Sequence, residues 1–336
     1  MSWTTAHVPD QNGRTALVTG ASAGIGFETA RVLAAHGAHV VLACRDVERG
    51  RAAAARIDGS TEVVPLDLAS LASVRRAADL VRERHRRLDL LIANAGVMFP
   101  AYRRTEDGFE AHLGVNHLGH FALTGLLLDL MTSVPGSRVV TVASLAHRVG
   151  FGRLDEAAAR SSTGRRSITA YGRSKLANLL FARELQHRLA VAGAATASVA
   201  AHPGLSPTAL WHGEAPALAR PLAAAGMRWL AQPVEAAALP SLRAAVDPAV
   251  HGGAYLGPSE RFGGRGAPEL ARSSRAARSG PGRARLWALS EELTGVRYVC
   301  APAVAEGPVP GHGQGHGQGH GQAPVGAVCP VTGARA

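Results

Sequence analysis

Tyr171 and Lys175 carry the clearest chemistry in this chain. Its 336 residues include 36 Lys and Arg together and four tyrosines. Lys175 is the sole lysine, and it falls four positions after Tyr171. Residues four apart lie on one face of a helix, so the ammonium can sit beneath the phenol. A free phenol titrates at about pH 10, and a neighbouring positive charge favours phenolate. The pair therefore predicts a proton donor and acceptor usable near neutral pH. A chain that otherwise writes its long-chain cations as arginine has a use for an ammonium here. A compact rotatable donor can reach a sugar hydroxyl and a water at once, where a planar guanidinium fits poorly. The plainer alternative is an exposed helical pair without chemistry.

Such a pair needs a fold that brings it to a ligand. Residues 15–19 form a short apolar strand that runs into Gly20-Ala-Ser-Ala-Gly24-Ile-Gly26, followed by a helical pattern over 27–36 closed at Gly37. Strand, glycine turn and helix in this order are the context of a dinucleotide-binding turn. Gly20 permits the turn, while Gly24 and Gly26 allow close approach of cofactor and of helix to strand. A pyrophosphate would sit on the open amides of the helix N-terminus.

Further strands are expected at 39–43, 62–66, 89–93, 138–143, 196–201 and 253–256. Helices are expected near 47–57, 70–87, 105–131, 171–191, 234–246 and 283–293. Repeated βα alternation predicts a single-domain α/β Rossmann fold, a doubly wound parallel sheet of about seven strands with helices on both faces. Cys44-Arg45, Asp67, Asn94-Ala95-Gly96 and Ser144 then stand at carboxyl ends of strands, the edge where such sheets bind ligands. At the end of the second strand an acid selects a ribose 2′-hydroxyl, and an arginine accommodates a 2′-phosphate. Arg45 follows Cys44 there, so NADP(H) is expected over NAD(H). Asp46 either turns inward against this or caps the next helix. Asp67 either accepts from the adenine amino group or caps a helix. Asn116, inside an apolar helical stretch, is a structural hydrogen-bonder or part of a water relay. His117 and His120 read as packing or surface residues, and no metal-ligand spacing includes them.

Composition narrows the class. Hydrophobic residues make up 46% and aromatic residues 4% of the chain, which suits an Ala/Val/Leu core of helices on a sheet. The net charge of +11 is spread along the chain with few aromatics for base stacking, so nucleic acid is not expected as a partner. Three cysteines, Cys44, Cys300 and Cys329, show no disulfide or metal spacing, as in a reducing cytoplasm. No apolar run of about 18 residues and no leader pattern appear, so the chain reads as soluble and untargeted.

Together, Thr19-Gly-x3-Gly24-Ile-Gly26, Asn94-Ala-Gly96, Asn116, Ser144, Tyr171-x3-Lys175 and Pro203-Gly204 resemble the short-chain dehydrogenase/reductase superfamily. Val115-Asn-His-Leu-Gly-His-Phe121, Ser144-Leu-Ala-His147, Tyr171-x3-Lys-Leu-Ala-Asn178 and Leu286-Trp-x-Leu-Ser-Glu-Glu-Leu293 resemble its retinol dehydrogenase-like branch. The resemblance runs from about residue 13 to 296. It implies that Tyr171 is the general acid/base, Ser144 holds the substrate oxygen, Lys175 binds the nicotinamide ribose, and Asn116 anchors a water to Lys175. It implies cofactor contacts at Gly20, Ser22, Gly24, Ile25, Gly26, Arg45, Asp67, Leu68, Asn94, Ala95, Gly96, Pro203, Gly204 and Thr208, although Pro207 is an unusual neighbour for Thr208. The implied reaction interconverts a lipophilic alcohol and its ketone or aldehyde. The rival reading is a non-catalytic NADP-binding or scaffold protein of the same fold. Many members form homodimers through the helices that hold Asn116 and Tyr171, while members of this branch also occur as monomers.

The expected organisation is an extension at 1–12, a nucleotide-binding domain at 13–298 with an apolar substrate lid at 205–232, and a flexible tail at 299–336. The lid could instead be a membrane-surface or dimer contact. Residues 261–285, rich in Gly, Arg and Ser, read as a solvated connection or an anion contact. The tail repeats Gly-His-Gly-Gln three times over 311–322, and its three imidazoles would bind metal only weakly.

Overall fold

Short runs of Val, Leu, Ile and Ala become strands, most of them covered on both faces. They are β1 (Thr15–Thr19), β2 (His39–Cys44), β3 (Thr61–Pro65), β4 (Leu90–Ala93), β5 (Arg138–Val142) and β6 (Ala197–Ala201). The computed structural model describes residues 2–98, 100, 104–150, 154–160, 168–204 and 232–301. All of these belong to one compact unit, Met1–Ala303.

The sheet has the order β3-β2-β1-β4-β5-β6-β7-β8, where β7 is Tyr255–Glu260 and β8 is Arg265–Leu270. The first seven strands are parallel, and β8 runs antiparallel on β7. Helices α1 (Gly24–Ala35), α2 (Val47–Ala54), α3 (Leu71–Arg84), α4 (Ala111–Leu113), α5 (Gly119–Leu127), α6 (Glu156–Ala159), α7 (Ile168–Val191), α8 (Val234–Val246) and α9 (Gly280–Thr294) complete the unit. One core layer joins the sheet to α1 and α8 through Ala30, Leu33, Leu242 and Ala245. The other joins it to α3, α5, α7 and α9 through Val74, Phe121, Phe181 and Trp287. Helices on both faces of a parallel sheet are the doubly wound arrangement expected from the βα alternation.

Three expectations change. The stretch 261–285 is not merely a solvated connection, because β8 extends the sheet there. Its Gly266, Pro268 and exposed polar residues break strand patterning, which an edge strand tolerates. The helix expected from about 105 begins only at Ala111, after a turn in which Phe109 N–H donates to Thr105 Oγ1. It then passes through a π-helical segment, Gly114–Leu118, before α5. Residues set apart as an N-terminal extension pack on the fold, with Trp3 and Val8 buried in its core. Among the described residues no helix is long and apolar enough to cross a membrane. Most of the expected lid and tail, including Thr208, lies outside the described residues.

Candidate functional site

On α7, Tyr171, Ser174, Lys175 and Asn178 fall at i, i+3, i+4 and i+7, a polar stripe turned inward against β5. All four are buried, so each needs a partner. Lys175 Nζ and Asn178 Nδ2 donate to the Val142 carbonyl at 3.0 and 3.1 Å. Ser174 Oγ donates to the Tyr171 carbonyl at 2.8 Å, and the Tyr171 phenol lies beside the Ser144 side chain.

Ser144 leaves the end of β5 and caps the short helical turn Leu145–Val149, its Oγ accepting from Ala146 N–H at 3.2 Å. This turn and α7 approach so closely that a Cβ on Gly172 would lie 2.5 Å from the Ala146 carbonyl. Glycine beside Tyr171 therefore lets the phenol reach Ser144. His147 fixes the same turn. Its Nδ1 donates to the Ser144 carbonyl at 2.7 Å, and its Nε2 accepts from Ser274 N–H at 3.1 Å.

Asn116 sits in the π-helical segment, where the widened backbone turns its side chain toward the end of β4. Its Oδ1 accepts from Val97 N–H at 2.7 Å, and its Nδ2 donates to the Val97 carbonyl at 3.0 Å and Ser174 Oγ at 2.9 Å. Its carbonyl accepts from His120 Nδ1 at 3.1 Å, which leaves His120 Nε2 to accept from the Thr19 hydroxyl at 2.9 Å. A Cβ placed on Gly96 would lie 3.3 Å from Asn116 Oδ1 and 3.4 Å from Lys175 Nζ. Gly96, Asn116 and Lys175 thus converge.

Burial governs the electrostatics. The Lys175 ammonium, out of water, is pushed down to about 8, and buried His120 falls to about 4. Burial raises the Tyr171 phenol, and the neighbouring Ser144 side chain offsets this in part. The expected lowering of the phenol by Lys175 is therefore not met in this state. The ammonium is 5.8 Å from the ring centroid and turned to Val142, and desolvation outweighs it.

The glycine turn lies at the same edge. Gly20 and Gly24 have φ of +68° and +58°, and a Cβ on Gly26 would strike the Gly20 carbonyl and Asn94 Nδ2, each at 2.5 Å. The first turn of α1 carries no acid and no side-chain cap, so its amides remain open toward an anion. Asn94 binds the turn to β4 by donating from Nδ2 to the Thr19 carbonyl at 2.9 Å, and Ala95 N–H donates to Thr19 Oγ1 at 2.9 Å. Ser22 lies beside buried Cys44, and Ile25 and Leu68 are buried beside the edge. Asp67 Oδ1 accepts from Ala69 N–H at 2.9 Å. Pro203 and Gly204 follow β6, with Gly204 at φ +71°. Arg45 is exposed, whereas Asp46 caps α2 by accepting from Arg49 N–H at 3.0 Å. An NAD(P) pyrophosphate fits this edge, since the uncapped amides of α1 face it with no acid in the first turn.

His120, His147 and Ser174 were not foreseen as part of the site. His117 and His120 are core residues, with His117 Nε2 paired to Ser290 Oγ at 2.9 Å. His120 and His147 bond backbone groups whose approach no short spacing reveals. Ser174 and Asn178, at i+3 and i+7 from Tyr171, had a helical signal available.

Residues 14–218 match the family model for short chain dehydrogenase. The chain belongs to this family. Its relatives place it on the retinol dehydrogenase-like branch of the short-chain dehydrogenases. Mouse retinol dehydrogenase 12 is 46% identical over 198 residues, 57% of this chain and 61% of that protein. The chain thus matches about three fifths of the length of such a curated relative. Among solved structures, an uncharacterized protein from Mycobacterium paratuberculosis is 42% identical, covering 89% of this chain and all of its own, with a TM-score of 0.73. A protein from Beutenbergia cavernae, assigned as an NAD(P)-dependent gluconate 5-dehydrogenase and solved with bound NADP, is 29% identical. It covers 74% of this chain and 96% of its own, at a TM-score of 0.56.

Proposed function

We propose that this short-chain dehydrogenase is an NADP(H)-dependent oxidoreductase that interconverts a lipophilic alcohol and its ketone or aldehyde, with Tyr171 as general acid/base. The observation that carries the reading is the convergence of Tyr171, Ser144 and Lys175 at the sheet edge that also holds the open glycine turn. In this reading Gly20, Ser22, Gly24, Ile25 and Gly26 receive the pyrophosphate, and the nicotinamide, when bound, exchanges hydride with the substrate carbon. Ser144 donates to the substrate oxygen while Tyr171 Oη gives it a proton, or takes one in the oxidative direction. Hydrogen bonds placed where negative charge develops on that oxygen account for much of the rate. Lys175 turns from Val142 to the nicotinamide ribose and favours phenolate. Asn116, fixed by Val97 and Ser174, positions the water that links Lys175 to solvent.

NADP(H) is favoured because Asp46 is committed to capping α2, leaving Arg45 free to meet a 2′-phosphate. The retinol dehydrogenase relatives and the apolar 205–232 sequence support a lipophilic substrate, and the cysteine spacing supports a cytoplasmic setting. The test is a carbonyl and alcohol panel assayed with NADPH and NADH. Turnover with NADPH at least tenfold more efficient is expected. Equal use of NADH would remove the Arg45 assignment, and tight cofactor binding without turnover on any compound would favour a non-catalytic binder.

A further inference from the structure

At the end of the sheet opposite Tyr171, three side chains from three elements meet. His39 opens β2, Glu62 lies near the start of edge strand β3, and His85 follows α3. His39 Nε2 stands 3.7 Å and His85 Nε2 2.5 Å from Glu62 Oε1. One ligand atom from each lies within 4.8 Å of the other two. We propose that His39, Glu62 and His85 form a binding site for a divalent transition-metal ion of the zinc class, separate from the catalytic edge.

Two imidazole nitrogens and a carboxylate oxygen are a donor set that zinc takes at about 2.0–2.2 Å, with a fourth position open to water. Outer partners already orient it. Ser60 Oγ engages His39 Nδ1 at 2.7 Å, which turns Nε2 toward Glu62. Arg84 donates to Glu62 Oε2 at 3.0 Å, leaving Oε1 to face both rings. The side chains are only 32%, 21% and 14% exposed for His39, Glu62 and His85, so folding has already ordered much of the site. An ion-pair cluster explains His85 and Arg84. His39 faces the same oxygen from 3.7 Å, its ring 5.4 Å from that of His85, so both imidazoles converge on Glu62.

Tetrahedral ligand atoms stand about 3.3 Å apart, so the His39–Glu62 gap fits and the His85–Glu62 hydrogen bond must open by about 1 Å. For His85 to ligate through Nε2, the proton that Nε2 shares with Glu62 moves to Nδ1, and the neutral ring supplies the nitrogen lone pair. Arg84 and the net charge of +11 oppose any cation. That opposition favours zinc, which forms bonds to nitrogen, over calcium, which needs six or more oxygens. The bound ion would tie the edge strand β3 to β2 and to the end of α3.

The test uses the full chain carrying His312→Ala, His316→Ala and His320→Ala, so that the tail imidazoles contribute nothing. Calorimetric titration with zinc alone should show one saturable equivalent, and the thermal midpoint should rise with zinc. His39→Asn and Glu62→Gln, each checked for its fold by circular dichroism, should weaken binding at least tenfold. Absence of saturable binding, or binding unchanged in both folded variants, would overturn the proposal.

Discussion

The two ends of this sheet treat polar side chains in opposite ways. At the carboxyl edge, Lys175, Asn116, Ser174 and His120 are buried, and their described partners are mostly backbone carbonyls and neutral hydroxyls. At the amino edge, charged groups pair with one another: Glu62 with His85 and Arg84, and buried Asp89 with Arg14 and Arg87. Burial lowers the Lys175 pKa, and its neutral partners do not offset that. Opposite charges compensate one another, and Glu62 is held below the usual carboxylate range despite its partial burial. An uncompensated ammonium beside an open glycine turn is ready for a ligand, while compensated pairs mainly hold elements together.

Substitutions can break this contrast, beginning where the effect is largest. Lys175→Arg keeps the charge but puts a planar fork in a site shaped for a compact ammonium. Turnover should fall by about a hundredfold or more, on the scale of losing one preorganised donor. Near-normal kcat would show that charge alone suffices.

The pH response should separate binding from stability. Lys175 has a folded pKa of about 8 against an ordinary 10.5. Between these values the unfolded chain holds the extra proton, so this residue's contribution to stability rises with pH. NADPH affinity, which in the proposed site needs the ammonium, should fall over the same window. Both trends, measured by thermal unfolding and fluorescence titration, should flatten in Lys175→Met. A persistent affinity change in that variant would assign it to another group.

His120→Ala should cost about 1–3 kcal/mol in urea unfolding, because the Asn116 carbonyl and Thr19 hydroxyl lose a buried partner. His120→Asn, which can restore one donor, should recover part of it, and an unchanged midpoint in His120→Ala would make the bridge incidental. The smallest effect belongs to the other end. Without added metal, Glu62→Gln should cost about 0.2–1 kcal/mol, as partly exposed ion pairs do, and leave kcat unchanged.

Much of the fold was legible because most strands are short apolar runs and each ligand-edge motif follows one. Tyr171, Ser144 and the glycine turn could be placed from order alone. β8 could not, because Pro268 and its charged neighbours obey no strand pattern and are tolerated only at an edge. The electrostatics of Tyr171 were also hidden. Sequence spacing shows the neighbouring charge but not the burial that outweighs it here. His120 and the His39–Glu62–His85 cluster depend on contacts between distant segments, which no local spacing encodes.

Tyr171→Phe tests the central claim most directly, with single-turnover reduction of an active carbonyl by NADPH measured beside NADPH affinity. Loss of turnover by about a thousandfold, with affinity within a few-fold of the parent, is the predicted result for removing a general acid. Turnover close to the parent would contradict the assignment of proton transfer to this tyrosine.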